Sequence, residues 1–437
     1  MAAYPLDDAP YPRRGYAWTV VAILIGTAVL SYTDRQVLSL LVDPVRRDLG
    51  ISDTEVSLLL GTAFAVVYGL AGIPFGLLAD RVSRRNLIFA GVLVWSVGTV
   101  ACGCAQSFAQ LFAARIVVGL GESVLSPAAI SLVSDYFPPS RRGMAVGCFL
   151  SGIAIGSGAA ILIGGGVLHL IESGALAATV LAPLAAWRLV LLLIGAPGFA
   201  WALLILLIRE PSRRTATASA AGAARSARGA LLRVAPVYFV VATASLVDNA
   251  VGAWAPTLLI RSFGRDPAQV GLELGLLLTV GFGGGVLAGG ALADLVGGDG
   301  RWQRKLAVCL GASVLILPVA AAIGAERAGL VMAAVPTYFA LSGIVTACGF
   351  SAILDVVPNR LRGFAMALSF FLNVAFGAGL GPTAVPLAAA HLFATRSGLG
   401  PPLAFTAAAS YLLVGIVLVF TLTLLRRRVA IATERKA

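Results

Sequence analysis

The feature that most constrains this chain is its succession of long apolar stretches. Twelve segments, each of about 20 or more predominantly apolar residues, alternate with short polar connections; a helix of about 20 residues crosses the ~30 Å of hydrocarbon in a bilayer. Backbone groups inside a bilayer must be hydrogen-bonded within the protein, so each stretch predicts a membrane-spanning helix. The spans are predicted near 16–41, 55–79, 87–105, 108–135, 143–168, 186–208, 235–261, 270–295, 305–324, 328–355, 364–391 and 402–425.

The composition excludes soluble classes of protein. Of the 437 residues, 59% are apolar and 12% are charged, whereas about a quarter of a soluble domain is charged. The net charge of +12 would suit a nucleic-acid partner, but the arginines form short runs between apolar stretches, as in the cytoplasmic loops of membrane proteins. We therefore expect no nucleic-acid partner. Five cysteines without zinc-ligand spacing and two distant histidines predict no metal site.

The basic residues also predict the orientation. One set of connections, with the two termini, carries 23 lysines and arginines, and the other set carries six. Because positive charge collects on the cytoplasmic side, both termini are predicted to be cytoplasmic. We expect the protein in the inner membrane of a bacterium.

The chain is predicted to consist of two related halves. Residues 209–234 are small, polar and basic without a periodic apolar face, which is typical of a flexible linker. On either side of it, motifs recur in the same order: Ser31, Asp34 and Val37 reappear 214 positions later as Ser245, Asp248 and Val251. Repeats of this kind are common in membrane carriers. They predict two pseudo-symmetric six-helix halves, 1–208 and 235–437.

Three segments resemble the signatures of the major facilitator superfamily. The stretch G76-L-L-A-D80-R81-V-S-R84-R85 is similar to the loop signature between the second and third helices of that family. Arg115 followed by Gly119 and Gly121 is similar to the second signature, and G152-I-A-I-G156-S-G158 to the antiporter-associated third. The resemblance implies an all-α membrane protein with twelve transmembrane helices in two pseudo-symmetric six-helix halves, the major facilitator fold.

Two further segments resemble the Spinster branch of that superfamily. They are Y32-T-D34-R35-Q in the first span and R115-I-V-V-G-L-G-E122-S in the fourth. Members of this branch are associated with the export of sphingolipids and lysophospholipids, with proton coupling proposed. The resemblance therefore implies an amphiphilic lipid-like substrate, and the family precedent favours a monomer.

Charged residues at bilayer depth are costly, so each is a functional candidate. They are Asp34, Arg35, Arg115, Glu122 and Asp248. Arg115 and Glu122 are seven residues apart and share one helix face about 10 Å apart. Because the resemblance places the first and fourth spans along one cavity, the first four residues are expected to converge. The alternative is an ion-pair network that only holds the helices in register.

Charge counting suggests roles for these residues. Two arginines face three carboxylates, so one carboxylate lacks a basic partner. A carboxylate that exchanges arginine partners between two conformations would bind and release a proton. We expect Asp34, and second Glu122, to carry the proton, and Arg35 or Arg115 to hold an anionic headgroup.

Tyr32 and Asp248 are further candidates for substrate contact. Asp248 repeats the position of Asp34, but Asn249 replaces the neighbouring arginine. Hydrogen bonding between helices is an equally strong interpretation of Asp248, and ordinary packing is the alternative for Tyr32.

A second polar group lies at the cytoplasmic ends of the helices, where the resemblance implies a gate between the halves. A carboxylate there can interact with a helix terminus or pair with arginines in one conformation only. The predicted gate residues are Asp80, Arg81, Arg84, Arg85, Asp135, Arg141 and Arg142.

These observations together predict a secondary active transporter that works by alternating access. Its partners are expected to be protons, membrane lipids and a small amphiphilic or anionic substrate. The alternative in the same fold is a proton-coupled symporter or exporter of small organic anions or drugs. The sequence has no phosphate-binding loop, nucleophile elbow or zinc-binding helix motif, so neither an enzyme nor a cofactor is expected.

Overall fold

The computed structural model describes residues 11–79, 81–175, 183–212, 224–296, 302–357, 362–393 and 398–434. Most of these residues are helical, and none of them is in a strand. The chain forms two compact units: unit 1 comprises Met1–Ala218 with Asp266–Leu276, and unit 2 comprises Ser219–Arg265 with Leu277–Ala437.

Unit 1 contains the first ten helices. They are α1 (Arg14–Gln36), α2 (Val42–Leu49), α3 (Asp53–Ser57), α4 (Ala63–Ala79), α5 (Arg84–Cys104), α6 (Phe108–Glu122), α7 (Leu125–Tyr136), α8 (Pro139–Glu172), α9 (Ala186–Gly195) and α10 (Pro197–Ile205).

The remaining helices are, apart from the start of α12, in unit 2. They are α11 (Ala224–Phe263), α12 (Pro267–Val296), α13 (Trp302–Ile323), α14 (Ala328–Val356), α15 (Arg362–Leu372), α16 (Gly379–Leu392) and α17 (Gly400–Glu434).

The helices match the predicted membrane spans. Within the described part of the chain, eleven helical segments are long and apolar enough to cross a membrane. They correspond to every predicted span except that at 143–168. That span falls in the 34-residue helix α8, whose stretch Gly158–Glu172 is apolar but shorter. The prediction of an all-helical membrane protein is confirmed.

Several spans contain a local change of helix type. The first continues beyond α1 as a 3₁₀ turn, Val37–Leu40, and a π-helical stretch, Leu58–Thr62, joins α3 to α4. Such segments interrupt the regular i→i−4 ladder and are frequent at functional sites. Both occur next to the candidate site described below.

Serine caps fix where two important helices begin. Ser83 accepts a hydrogen bond from the Asn86 backbone N–H, so α5 begins at Arg84. Ser107 does the same for α6 through the N–H of Gln110. A serine at this position satisfies one of the four free N–H groups of the first turn.

Close contact between α5 and α6 depends on glycine. A Cβ atom on Gly121 would lie 2.5 Å from the backbone nitrogen of Trp95 and 2.7 Å from the carbonyl oxygen of Gly91. Only hydrogen fits at this crossing. The two backbones therefore touch next to Glu122, which fixes the position of that carboxylate.

Helix α11 begins earlier than the sequence suggested. Its first residue, Ala224, lies inside the stretch 209–234 predicted as a flexible linker, of which residues 213–223 lie outside the described part of the chain. The segment from Ala224 to Arg233 is rich in alanine, arginine and leucine. These residues have high helix propensity, which a reading for apolar periodicity overlooks.

Candidate functional site

A buried ion pair joins α1 to α6 in unit 1. Arg35 Nη2 is 2.8 Å from Glu122 Oε2, and the two side chains are 10% and 0% exposed. Only one oxygen and one nitrogen take part, because Glu122 Oε1 and Arg35 Nε have no hydrogen-bond partner. The pair is therefore buried but not bidentate, and each partner keeps a free polar atom.

Aromatic rings surround the Arg35 guanidinium. Its Cζ atom lies 4.6 Å from the centroid of the Tyr32 ring, 4.0 Å from that of Phe64 and 5.1 Å from that of Tyr68. A cation over an aromatic face is attracted by the ring quadrupole, most strongly where water is excluded. We call Tyr32, Phe64 and Tyr68 the aromatic cage. It stabilises a buried cation that forms a single charged hydrogen bond.

Arg115 has different partners from those expected. Its three nitrogens donate to the backbone carbonyls of Leu59 (3.1 Å), Asp34 (3.2 Å) and Arg35 (3.3 Å). Leu59 belongs to the π-helical stretch, and the other two carbonyls lie at the end of α1, where the helix leaves carbonyl groups unbonded. Arg115 thus ties α6 to two irregular backbone segments, and within the described residues it forms no ion pair.

Asp34 is buried and unpartnered. The residue is 1% exposed, and neither carboxylate oxygen has a hydrogen-bond partner. The hydroxyl of Thr99 on α5 faces this carboxyl group but also lacks a hydrogen bond. The structure thus brings Asp34, Arg35, Arg115 and Glu122 into one region, and Asp34 is the carboxylate without a basic partner.

Asp248 lies in unit 2 within a cluster of hydroxyl groups. Its Oδ1 atom accepts hydrogen bonds from Tyr338 (2.8 Å) and Ser342 (2.6 Å), and Tyr411 donates to the Ser342 hydroxyl (2.9 Å). Asn249 bonds to the Ser245 carbonyl of its own helix at 2.9 Å. The three hydroxyl residues were not identified from the sequence. The sequence does contain one indication of them: Tyr338 and Ser342 are four residues apart, which places two polar groups on one face of an apolar helix.

The predicted gate contains a buried arginine with two carboxylate partners. Arg84, at the start of α5, is fully buried. It forms a short hydrogen-bonded ion pair with Asp135, a second ion pair with Glu210 (2.7 Å) and hydrogen bonds to Ser131. We call Arg84, Asp135, Ser131 and Glu210 the unit 1 clamp. It joins the ends of α5 and α7 to the segment that follows α10.

Glu210 is the clamp residue that the sequence reasoning missed. Burial of its carboxyl group opposes ionisation, but hydrogen bonds from the Arg85 backbone N–H and from Arg84 lower its pKa below the ordinary value of 4.5. Ser83 also donates to it at 3.0 Å. Glu210 lies in the stretch 209–234 that the sequence predicts to be a linker. The available signal was an acidic residue directly after an apolar span in a basic stretch.

Of the other predicted gate residues, those whose side chains the structure describes do not join this clamp through them. Arg81 is exposed and Arg141 is partly exposed. Arg85 contributes its backbone N–H, while its side chain bonds to Asn86 at 3.0 Å. Asp80 and the side chain of Arg142 lie outside the described part of the chain.

Unit 2 contains a counterpart of the unit 1 clamp. Lys305 Nζ is 2.6 Å from Asp355 Oδ2 and 2.8 Å from the Ser351 hydroxyl. These residues lie 221, 220 and 220 positions after Arg84, Asp135 and Ser131. The internal repeat seen in the sequence therefore extends to matching side-chain contacts.

Comparison with known proteins agrees with the membrane-transporter fold predicted from the sequence. Residues 24–382 match the model of the family described as Major Facilitator Superfamily. The chain is 31% identical over 392 residues to an MFS-type efflux pump of Mycolicibacterium smegmatis, covering 86% of this chain and 85% of that protein. It is 31% identical over 178 residues to the protein spinster of Drosophila melanogaster, covering 40% of this chain and 29% of that one.

A solved structure extends the likeness to the whole fold. It is a bacterial homologue of the human lysosomal transporter Spinster, in an inward-facing and unoccupied conformation. The TM-score is 0.74 at 23% identity, covering 94% of this chain and 96% of that one. At this identity the likeness shows a shared fold. The resemblance predicted from the sequence motifs is confirmed.

Proposed function

Because the chain belongs to the Major Facilitator Superfamily, we propose that it is a secondary active transporter, coupled to protons, that moves an amphiphilic lipid-like substrate of the lysophospholipid or sphingoid type. The two halves, 1–208 and 235–437, would alternate in exposing the site to either side of the membrane. One observation carries the proton coupling: Asp34 is buried beside the Arg35–Glu122 pair and has no partner of its own.

The environment of Asp34 suits a proton carrier. An ionised carboxylate that is buried without a partner is costly, so Asp34 is expected to hold a proton in this conformation. A rearrangement that brings Arg35 or water to Asp34 would favour release of that proton. Glu122 is the second candidate, because its Oε1 has no partner and its Oε2 becomes available whenever Arg35 leaves.

Arg35 is the group we assign to an anionic headgroup. Its Nε has no partner, and the aromatic cage stabilises the guanidinium independently of Glu122. A phosphate that replaced Glu122 would bind through charge-assisted hydrogen bonds and leave Glu122 free to take up a proton. Substrate binding and proton binding would thereby be linked. Tyr32 would contact the substrate as part of the aromatic cage. Arg115 already donates to three backbone carbonyls and would hold the backbone of the site in place.

The lipid-like nature of the substrate is supported by the resemblance of Y32-T-D34-R35-Q and of the fourth-span segment to the Spinster branch. The alternative is export of small organic anions or drugs. It is favoured by the similarity to an MFS-type efflux pump over 86% of this chain. Arg35 within aromatic rings would also suit a flat organic anion.

The unit 1 clamp is proposed to act as a cytoplasmic gate together with Asp80, Arg81, Arg85, Arg141 and Arg142. A buried arginine held by two carboxylates has two discrete states, paired and unpaired, as a gate requires. We further propose that the protein is a monomer in an inner bacterial membrane, with both termini in the cytoplasm.

Reconstitution tests the proposed function. The protein is placed in liposomes, and the flux of a fluorescent lysolipid is followed with and without an imposed pH gradient. We expect the gradient to stimulate flux in the wild type and not in Asp34→Asn. Glu326→Gln, which removes an exposed carboxylate, serves as the control and should behave as the wild type. No lysolipid flux, together with transport of small organic anions, would replace the leading proposal by its alternative.

A further inference from the structure

Unit 2 carries a carboxylate at membrane depth without a cation. Asp248 lies in the span Val234–Phe263, and none of the ion pairs of the described residues includes it. Among the described residues, both hydrogen bonds to this carboxylate reach Oδ1 and none reaches Oδ2. The residue is partly exposed rather than buried. One oxygen is therefore free to bind a group from outside.

The hydroxyl groups around Asp248 are arranged for a negative charge. Tyr338 donates to Oδ1 directly, and Tyr411 donates to Ser342, which donates to the same oxygen. Hydroxyl groups that donate in sequence polarise one another and strengthen the final hydrogen bond. All three are buried. The cluster stabilises an anion but supplies no counter-charge.

Aromatic rings adjoin this carboxylate. The Tyr338 ring makes edge contacts with Phe339 (5.3 Å between centroids) and with Tyr411 (5.9 Å). Gly252, one helical turn after Asp248, has no side chain; the nearest group to its missing Cβ is Phe339 Cζ at 3.8 Å. A carboxylate beside aromatic rings and a glycine is the chemistry that recognises an organic ammonium group.

The repeat-related position in unit 1 shows what is missing in unit 2. There the aromatic cage and Glu122 surround a cation that belongs to the chain, Arg35. The residue 214 positions later is Asn249, which bonds to its own helix. Asp248 thus has a carboxylate and nearby rings, but among the described residues no cation of the chain pairs with it.

We infer that Asp248 binds the cationic amine of the transported molecule, with Tyr338 and Phe339 beside it. This inference rests on the proposed transport function and narrows its substrate class to amphiphiles that carry an ammonium group, such as amine-bearing lysophospholipids or long-chain amines. The competing occupant of Asp248 is a proton. A site for an ammonium group distinguishes lipids by their headgroup, whereas a site for a proton does not.

Matched substrates test the inference. Two lysolipids with the same fluorescent acyl chain are compared in liposomes: lysophosphatidylethanolamine, which carries an amine, and lysophosphatidic acid, which does not. We expect Asp248→Asn to lower the flux of the amine-bearing lysolipid about tenfold, the loss of one charge-assisted hydrogen bond, and to leave lysophosphatidic acid within about twofold of the wild type. Equal loss for both lysolipids would overturn the inference.

A binding measurement separates this inference from the proposed function. Hexylamine and hexanol are added to the detergent-solubilised protein, and the midpoint of thermal unfolding is recorded. Hexylamine should raise the midpoint of the wild type more than hexanol does, and Asp248→Asn should abolish the difference. If no lysolipid is transported but this difference is present, the lipid proposal fails and the amine site stands. Absence of the difference in the wild type contradicts the amine site.

Tyr338→Phe is the second variant, in case Asp248→Asn does not fold. It keeps the carboxylate and the ring and removes one hydrogen bond to Oδ1. We expect about a threefold loss of flux, confined to the amine-bearing lysolipid, and a loss that affects both lysolipids alike would speak against the inference. Glu326→Gln is again the control for the removal of one exposed carboxylate.

Discussion

At the scale of single residues, the two arginines of unit 1 show how surroundings determine a role. Arg115 donates to three carbonyls from three separate nitrogens, whereas a lysine has a single nitrogen. Arg35 has one charged hydrogen bond and three ring contacts. The first arrangement is the basis of the structural role proposed for Arg115, and the second is the basis of the ligand contact proposed for Arg35.

Replacement of each arginine by lysine should separate these roles. Arg115→Lys is expected to lower the free energy of unfolding by about 2 kcal/mol, because buried carbonyls lose their donors. Arg35→Lys should change it by less but reduce lysolipid flux strongly, since an ammonium group lacks the planar contact with the cage. Denaturant titration in micelles and the flux assay check this. Equal destabilisation by both variants would contradict the assignment.

Glu210 makes a prediction about pH. A carboxyl group whose pKa is lowered by folding stabilises the protein at pH values above its ordinary pKa of 4.5. This contribution is lost as the pH falls from that value through the lower pKa of the folded state. Between about pH 6 and about pH 3, wild type should therefore lose more thermal stability than Glu210→Gln. The control Glu326→Gln should follow the wild type. Parallel curves for wild type and Glu210→Gln would show that Glu210 adds no such stability.

At the scale of helices, glycine determines which pairs of helices touch. The contact between Gly91 and Gly121 brings α5 against α6. In α8, by contrast, Gly147 has open space where its side chain would lie. The two kinds of glycine should respond to substitution in opposite directions.

Alanine substitutions provide this test. Gly121→Ala should destabilise the protein by about 2 kcal/mol, because the added methyl group meets backbone that cannot move aside. The matched control Gly147→Ala should be neutral or more stable by up to ~1 kcal/mol, since alanine favours the helix. The midpoints of thermal unfolding report both changes. A neutral Gly121→Ala would mean that the helices can separate at this crossing.

The membrane spans were predictable because hydrocarbon imposes their length and composition. The 3₁₀ turn Val37–Leu40 and the π-helical stretch Leu58–Thr62 were not, since neither has a signal in hydropathy. Charged residues at depth, such as Asp34 and Glu122, stood out against apolar neighbours. Tyr338, Ser342 and Tyr411 did not stand out, because uncharged polar residues are tolerated in spans for many reasons. The carbonyl partners of Arg115 were not predictable either, because these carbonyls are available only where the backbone is irregular.

At the scale of the whole molecule, the two units repeat one design with different charges. Arg84 with Asp135 and Ser131 corresponds to Lys305 with Asp355 and Ser351. The clamp in unit 1 adds a second carboxylate, Glu210. At membrane depth, unit 1 pairs Glu122 with an internal arginine, whereas the partners of Asp248 among the described residues are hydroxyl groups. The roles proposed for the two related sites differ accordingly.

The two clamps should contribute unequally to stability. Arg84→Gln leaves two carboxylates facing each other around a buried site, so we expect a loss of about 3 kcal/mol in the free energy of unfolding. Lys305→Gln leaves only Asp355, whose side chain is 26% exposed, and should cost about 1 kcal/mol. Denaturant titration compares the two variants. A larger loss for Lys305→Gln would contradict the proposed importance of Glu210.

Direct observation of proton movement tests the central claim, that Asp34 carries the proton. Liposomes containing the protein and a trapped pH-sensitive dye are given lysolipid in the absence of a pH gradient, and internal pH is followed while the lipid moves. The wild type should move protons together with lysolipid. Asp34→Asn should exchange lysolipid across the membrane without any change in internal pH. Proton movement of wild-type size in Asp34→Asn would contradict the account.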